Sequence, residues 1–351
     1  ENLVVAGPGL LKEVLKKKNK KTYHWKTNYT ISNYCTVFNI GKYAVVSKDY
    51  TTIDGTVVPI QFYVLEEDSS FAPKIIELKA RDTKILEKYF GEYPWAKEKI
   101  GIAAVPNSGM EHQTMITFQN KFNYTKIGVH DYSANLYHEY GHEWFANKVT
   151  NKDWAHMWIQ EGITTYSEAL IHYELGGQEA YDEIISRHKR NTRNKKPMVG
   201  GEELSEEEAY AGRDIYAKGS FFMHSLRYVL GDEIFLPTLK KLATDPRYTY
   251  DNFVTTKDVE ELFSTASKQD LKPFFNFYVY TNEVLDISVK EVGYQKYQIT
   301  VNNFFMPLPL DIGPADKTTR TMVGKEGIVV SSNGAPQVDP KGHYLKKITI
   351  Q

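Results

Sequence analysis

The sequence predicts a multidomain α+β fold that runs β, then mostly α, then β again. Three observations support this. The chain has 351 residues, more than one ordinary core of about 100–200 residues accommodates. The apolar period shifts from alternation to helical spacing near Ser70 and back to alternation from Leu285. Between them, the short apolar run Ile100–Val105 has the length and composition of a buried strand.

In the first sixty or so residues, Tyr23-His24-Trp25, Tyr34-Cys35-Thr36-Val37-Phe38-Asn39-Ile40 and Tyr43-Ala44-Val45-Val46 are rich in β-branched and aromatic residues and read as strands. Gly41, Asp54-Gly55 and the lysine cluster from Lys16 to Lys21 punctuate them, and the cluster reads as a solvated turn between strands. From Ser70, the residues Ile75, Leu78, Leu86 and Tyr89 recur at helical spacing until Gly91 stops the run. After Ile100–Val105, helical patterns dominate to about residue 280. One of them is the stripe Ile215, Gly219, Phe222, Leu226, Val229. Alternation returns in Tyr297-Gln298-Ile299-Thr300-Val301, with turns at Gly313-Pro314, Asn333-Gly334 and Pro340.

Composition excludes several classes. Forty-three basic against 44 acidic residues leave a net charge of −1, so no global field draws the chain to nucleic acid or an anionic membrane. A single cysteine, Cys35, rules out an intramolecular disulfide and any thiolate-rich metal site, and it does not fix a compartment. No stretch reaches the ~18 uninterrupted apolar residues of a spanning helix. The chain begins at Glu1 and carries no signal peptide, so it reads as trimmed and its localisation is unknown.

The chemistry concentrates in the helical middle, at His138-Glu139-Tyr140-Gly141-His142. Four residues of helix turn by about 400°, so the two imidazoles point the same way, one turn apart. Such a pair can hold a single zinc ion, with Glu139 near enough to act as general base. A catalytic zinc usually takes three protein ligands. Glu161, in Trp158-Ile159-Gln160-Glu161-Gly162, follows His142 after eighteen residues. That interval lets the first helix finish, turn at Asn151-Lys152-Asp153, and a second helix return alongside. Glu168 stands seven residues further on, two turns along the same face, where it can orient a histidine ligand.

His-Glu-x-x-His, eighteen residues, then Glu within Trp-x-x-Glu-Gly resembles the signature of gluzincin zinc metallopeptidases of the aminopeptidase N and leukotriene hydrolase type. The whole segment from His138 to Glu168 is similar to that family, including Val149-Thr150-Asn151. Two further motifs agree. Ser108-Gly109-Met110-Glu111-His112 resembles the family's Gly-x-Met-Glu-Asn motif, with His112 where Asn is usual. The resemblance makes Glu111 the anchor for a substrate's free α-amino group, with Gly109 and Met110 beside the peptide as an added strand. Asp214-Ile215-Tyr216-Ala217-Lys218-Gly219 resembles the Tyr-x-Lys-Gly element, which makes Tyr216 a donor to the developing oxyanion.

The resemblance implies an aminopeptidase that removes the first residue of a peptide by metal-activated water. His138, His142 and Glu161 would hold one zinc per chain, and Glu139 and Tyr216 would be catalytic. The partner is a peptide with a free N-terminus, and no nucleic acid is expected. Residues 1–60 are similar to the last part of an N-terminal β domain whose earlier part is missing. Residues 61–282 are similar to a thermolysin-like, mainly helical catalytic domain, and residues 283–351 to a small β-sandwich. The rival readings are a thermolysin-like endopeptidase, against which Glu111 speaks, and an inactive peptide-binding scaffold, against which the intact set of site residues speaks.

Overall fold

Ile100–Val105, buried at all six positions, is an inner strand of a four-stranded sheet. The computed structural model describes residues 2–119, 122–314 and 317–351. The chain divides into two units. The first holds Glu1–Lys152, Ile159–Ile184 and Leu239–Thr255, and the second holds Asp153–Trp158, Ile185–Thr238 and Thr256–Gln351.

In the first unit the sheet order is Tyr43–Thr51, Val57–Leu65, Ile100–Val105, Ile116–Gln119. The outer pair Tyr43–Thr51 and Val57–Leu65 is antiparallel, and the next two pairings are parallel. A strand paired in parallel on both edges is buried on both faces, which is why Ile100–Val105 is continuously apolar rather than alternating. The helix Ala72–Phe90 provides the crossover that a parallel pair requires. It buries Ile75, Ile76, Leu78, Leu86 and Phe90, and Gly91 ends it with φ 83°. A smaller cluster of Ala6, Tyr43, Tyr63, Ala103 and Met115, with Trp25 and Val37 packed on it, joins the N-terminal residues to the sheet.

The lysine cluster lies at the tip of an antiparallel hairpin, Leu10–Lys17 with Lys20–Lys26, and is exposed. The expected strand from Tyr34 to Ile40 does not form. Asn33–Cys35 is a 3-10 turn in which Ser32 Oγ accepts the Tyr34 N–H at 3.2 Å, and only Asn39–Gly41 is a strand, paired with Val4–Ala6. A serine that caps its own backbone competes with sheet pairing, and here the cap prevails over β propensity. Helix does not dominate throughout the middle either, because Ile116–Gln119, Thr125–Ile127, His130–Tyr132, Thr150–Asn151 and Phe253–Val254 are strands.

In the second unit, Ala217–Leu230 is a largely buried helix whose Phe222 ring meets Phe275 at 5.0 Å and Trp158 at 5.3 Å. Ile215 precedes this helix rather than belonging to it. The C-terminal strands form a four-stranded sheet, Ile328–Ser331, Lys296–Val301, Leu285–Gly293, Lys346–Ile350, and a three-stranded one, Thr319–Val323, Leu308–Gly313, Gln337–Val338. Their alternating apolar residues, among them Ile287, Val289, Ile299, Leu308, Leu310 and Val323, are buried. The class is therefore mixed α+β.

Candidate metal centre and active site

His138 and His142 stand on and just after a short helix, Ala134–Gly141, which ends at His142 as its C-cap. Glu161 lies near the start of the long helix Met157–Asn191, which is broken at Gly177 (φ 69°). The three side chains converge. His138 Nε2 and His142 Nε2 are 3.1 Å apart, and Glu161 Oε2 lies 3.5 Å from the first and 3.3 Å from the second. Four ligands arranged tetrahedrally around zinc at about 2.0–2.1 Å are separated by roughly 3.3 Å, so this triangle has the dimensions of one face of a zinc site.

The outer ring nitrogens fix the tautomers. His138 Nδ1 lies 2.9 Å from Glu168 Oε1, and His142 Nδ1 lies 2.9 Å from the Phe145 carbonyl and 3.1 Å from Thr164 Oγ1. An Nδ1–H donated to a carboxylate or carbonyl leaves Nε2 with its lone pair, which is the form that binds a metal. Burial disfavours charge on both rings, yet Glu161 and Glu168 raise His138, and Glu161 and Glu111 raise His142. Burial likewise opposes ionisation of Glu161, but the two imidazoles hold its carboxyl well below the usual range. A buried cluster in which the acids draw positive charge onto the rings suits a cation, so donor set and spacing both fit zinc.

Glu139 faces the same cluster, and Asn135 Nδ2 donates to its Oε1 at 3.2 Å. Burial pushes its carboxyl up to about 7, with Glu111 and Glu161 adding to the shift and the histidines opposing it. Gly109 packs against it. Met110 is bridged to Thr117 by two backbone hydrogen bonds of 3.1 Å, which sets the segment beside the edge strand Ile116–Gln119. Glu111 is buried, and one of its oxygens lies within 4.8 Å of ligand atoms of Glu139 and His142.

The first unit thus brings His138, Glu139, His142, Glu161, Gly109, Met110 and Glu111 together. Tyr216 belongs to the second unit, immediately before Ala217–Leu230, with its ring 6.3 Å from that of Tyr210. His112 is half turned into the protein, 3.3 Å from Thr117 Oγ1, and burial lowers its pKa. His156, in the second unit, lies 3.0 Å from Thr256 Oγ1.

Sequence reasoning missed four neighbours of this site. Tyr34 Oη and Gln160 Nε2 both donate to Glu111 Oε1, at 2.9 and 2.7 Å. Asn147 Nδ2 donates to the Glu111 carbonyl at 2.9 Å and to Glu143 Oε2 at 3.0 Å. Glu143, fully buried, also accepts from Trp95 Nε1 at 2.6 Å and from the Thr114 N–H at 2.9 Å, and burial raises it to about 7. Only Gln160 left a local signal, by standing directly before Glu161.

Comparison with known proteins bears on the family and the fold. The family model for the Peptidase family M1 domain matches residues 76–278. The tricorn protease-interacting factor F2 of Thermoplasma acidophilum is 23% identical over 339 residues, which cover 90% of this chain and 41% of that protein. Aminopeptidase N of Lactococcus lactis is 26% identical over 269 residues, 72% of this chain and 31% of that one. Among solved structures, aminopeptidase A of Legionella pneumophila in complex with aspartic acid superposes with a TM-score of 0.82 at 20% identity, covering 99% of this chain and 43% of that chain. At that identity the likeness speaks for the fold. The chain spans about a third to two fifths of the length of the curated relatives it matches. Since the family match takes in more than half of the 351 residues, the chain belongs to peptidase family M1.

Proposed function

We propose that this chain carries the catalytic part of a zinc aminopeptidase, which releases the first residue of a peptide bearing a free N-terminus. The observation that supports it best is the convergence of His138 Nε2, His142 Nε2 and Glu161 Oε2 at 3.1–3.5 Å beside two further carboxylates, Glu139 and Glu111.

His138, His142 and Glu161 would hold one zinc ion, which when bound supplies Lewis-acid polarisation of the scissile carbonyl and of the attacking water. Glu139 takes the proton of that water at its carboxylate and hands it to the leaving amine. Glu111 accepts the N–H of the substrate α-ammonium and so sets the cleavage point one residue in. Glu168 keeps His138 in its metal-binding tautomer. Tyr216, assigned from its Tyr-x-Lys-Gly context, donates its phenolic O–H to the oxyanion.

In domain terms, residues 1–60 are the end of an N-terminal β domain, 61–282 a thermolysin-like catalytic domain and 283–351 a small β-sandwich. The reading expects no nucleic acid among the partners. The net charge is −1, and among the described residues no helix is long and apolar enough to cross a membrane.

The test is hydrolysis of a panel of aminoacyl p-nitroanilides by the zinc-loaded protein, with the N-acetylated panel and Glu139→Gln as controls. The proposal expects one zinc per chain, cleavage of free-amine substrates only, and loss of cleavage in Glu139→Gln with zinc retained. Cleavage of internal bonds in blocked peptides would favour the endopeptidase. Bound zinc with no Glu139-dependent hydrolysis would favour the scaffold.

A further inference from the structure

Glu111 is held through both its side chain and its backbone. Both side-chain donors, Tyr34 Oη at 2.9 Å and Gln160 Nε2 at 2.7 Å, meet the same oxygen, Oε1. The backbone is held too: Asn147 Nδ2 donates to the Glu111 carbonyl at 2.9 Å, and the Gln113 N–H donates to the Cys35 carbonyl at 3.2 Å. The turn Asn33–Cys35 is thereby stitched to this loop at Glu111 and again two residues on at Gln113, and Ser32 fixes the turn by accepting from the Tyr34 N–H.

Two donors on Oε1 set the carboxylate plane and leave Oε2 for a third partner. A neutral hydroxyl and a neutral amide orient the group without cancelling its charge, as a lysine or arginine would. We propose that Tyr34 is a positioning residue for amine recognition, its O–H turning Glu111 so that Oε2 receives the substrate ammonium. This rests on the assignment of Glu111 as the amine anchor. It makes the N-terminal segment a working part of the site, seventy-seven positions from the residue it serves.

Tyr34→Phe removes the O–H and keeps the ring. For the best free-amine p-nitroanilide, KM is expected to rise about tenfold with kcat within about twofold, since the lost hydrogen bond is to a charged group. The preference for free over N-acetylated substrate should fall by a similar factor. In a Glu139→Gln background, calorimetry with the tripeptide Ala-Ala-Ala should show its Kd raised about tenfold, and N-acetyl-Ala-Ala-Ala unaffected. Zinc content and Tm should match the parent. Glu111→Gln separates the two ideas. If Glu111→Gln keeps the free-amine preference, the anchor assignment fails and this inference with it. If Glu111→Gln loses the preference while Tyr34→Phe leaves KM, Kd and preference unchanged, the inference about Tyr34 alone is overturned. A Tyr34→Phe protein that lowers Tm and kcat together at constant KM also overturns it, because that is the mark of a purely structural residue.

Discussion

Gly109 lies so close to the Glu139 side chain that any Cβ at position 109 would force that side chain to shift. A Cβ at position 109 would stand 2.5 Å from Glu139 Cγ and 2.8 Å from its Oε1. The glycine of the Ser-Gly-Met-Glu-His segment is thus explained by its close approach to the Glu139 side chain rather than by backbone conformation. Gly109→Ala should displace the Glu139 carboxylate, lowering kcat by about 10²-fold, as angstrom-scale misplacement does. Bound zinc, measured by atomic absorption, should stay at one per chain. A kcat within twofold of the parent would mean that Glu139 is not the base.

Glu168 reaches His138 Nδ1 at 2.9 Å, and His138 is one corner of the triangle it forms with His142 and Glu161. Glu168→Gln keeps the shape but weakens the hold on the tautomer, and zinc affinity should fall by about 10–100-fold. Competition with a chromogenic chelator reads this directly. Unchanged affinity would show Glu168 to be a bystander.

Tyr216→Phe should leave zinc content and KM in place while kcat drops by about 10²–10³-fold, the usual loss for one oxyanion donor. If kcat stays within a few-fold, the tyrosine is structural, and its motif has misled.

Lys79 gives a pH signature away from the site. It is fully buried on Ala72–Phe90, donating to the Leu136 carbonyl at 3.2 Å and lying over the Tyr140 ring, with Asp82 4.0 Å away. Burial pushes Lys79 down to about 7, against an ordinary value of 10.5, and burial also raises Asp82. Between pH 7 and 10.5 the unfolded chain therefore carries the extra proton, so this group makes stability rise with pH across that window. Below pH 7 both states are protonated and the full penalty stands. Urea unfolding of the parent and of Lys79→Met at pH 7 and pH 9.5 should show the parent gaining on the variant by roughly 2 kcal/mol. A difference independent of pH would place the charge of Lys79 outside the balance.

Local features were the legible ones. Gly91 ended its helix where the periodicity stopped, Ile100–Val105 was a strand at the expected residues, and the spacing of His138, His142 and Glu161 anticipated their convergence. Each depends on a period or an interval that the chain carries in a dozen or so residues. Tyr34 and Asn147 were invisible for the opposite reason. Tyr34 lies in a segment whose composition favours a strand, and one serine side chain together with a hydrogen bond from Gln113 makes it a turn. Its partner Glu111 is brought to it by the sheet. Asn147 has no motif of its own, and its side-chain amide meets Cys35 and Glu111, which come from two distant stretches of sequence. Contacts of that kind appear only when tertiary structure is assembled.

The inner strand Ile100–Val105 also bears on how readily this sheet can fold. Both its neighbours pair with it in parallel, so no tight hairpin can start either pairing, and each must close a long loop first. Topology of this kind folds slowly. The edge strand Ile116–Gln119, which holds Met110 by its backbone bridge, depends on that parallel pairing for its place in the sheet. An ion that binds only the finished scaffold should leave the refolding rate of the chain unchanged and slow its unfolding, which would make it a lock on the finished fold rather than a template for it.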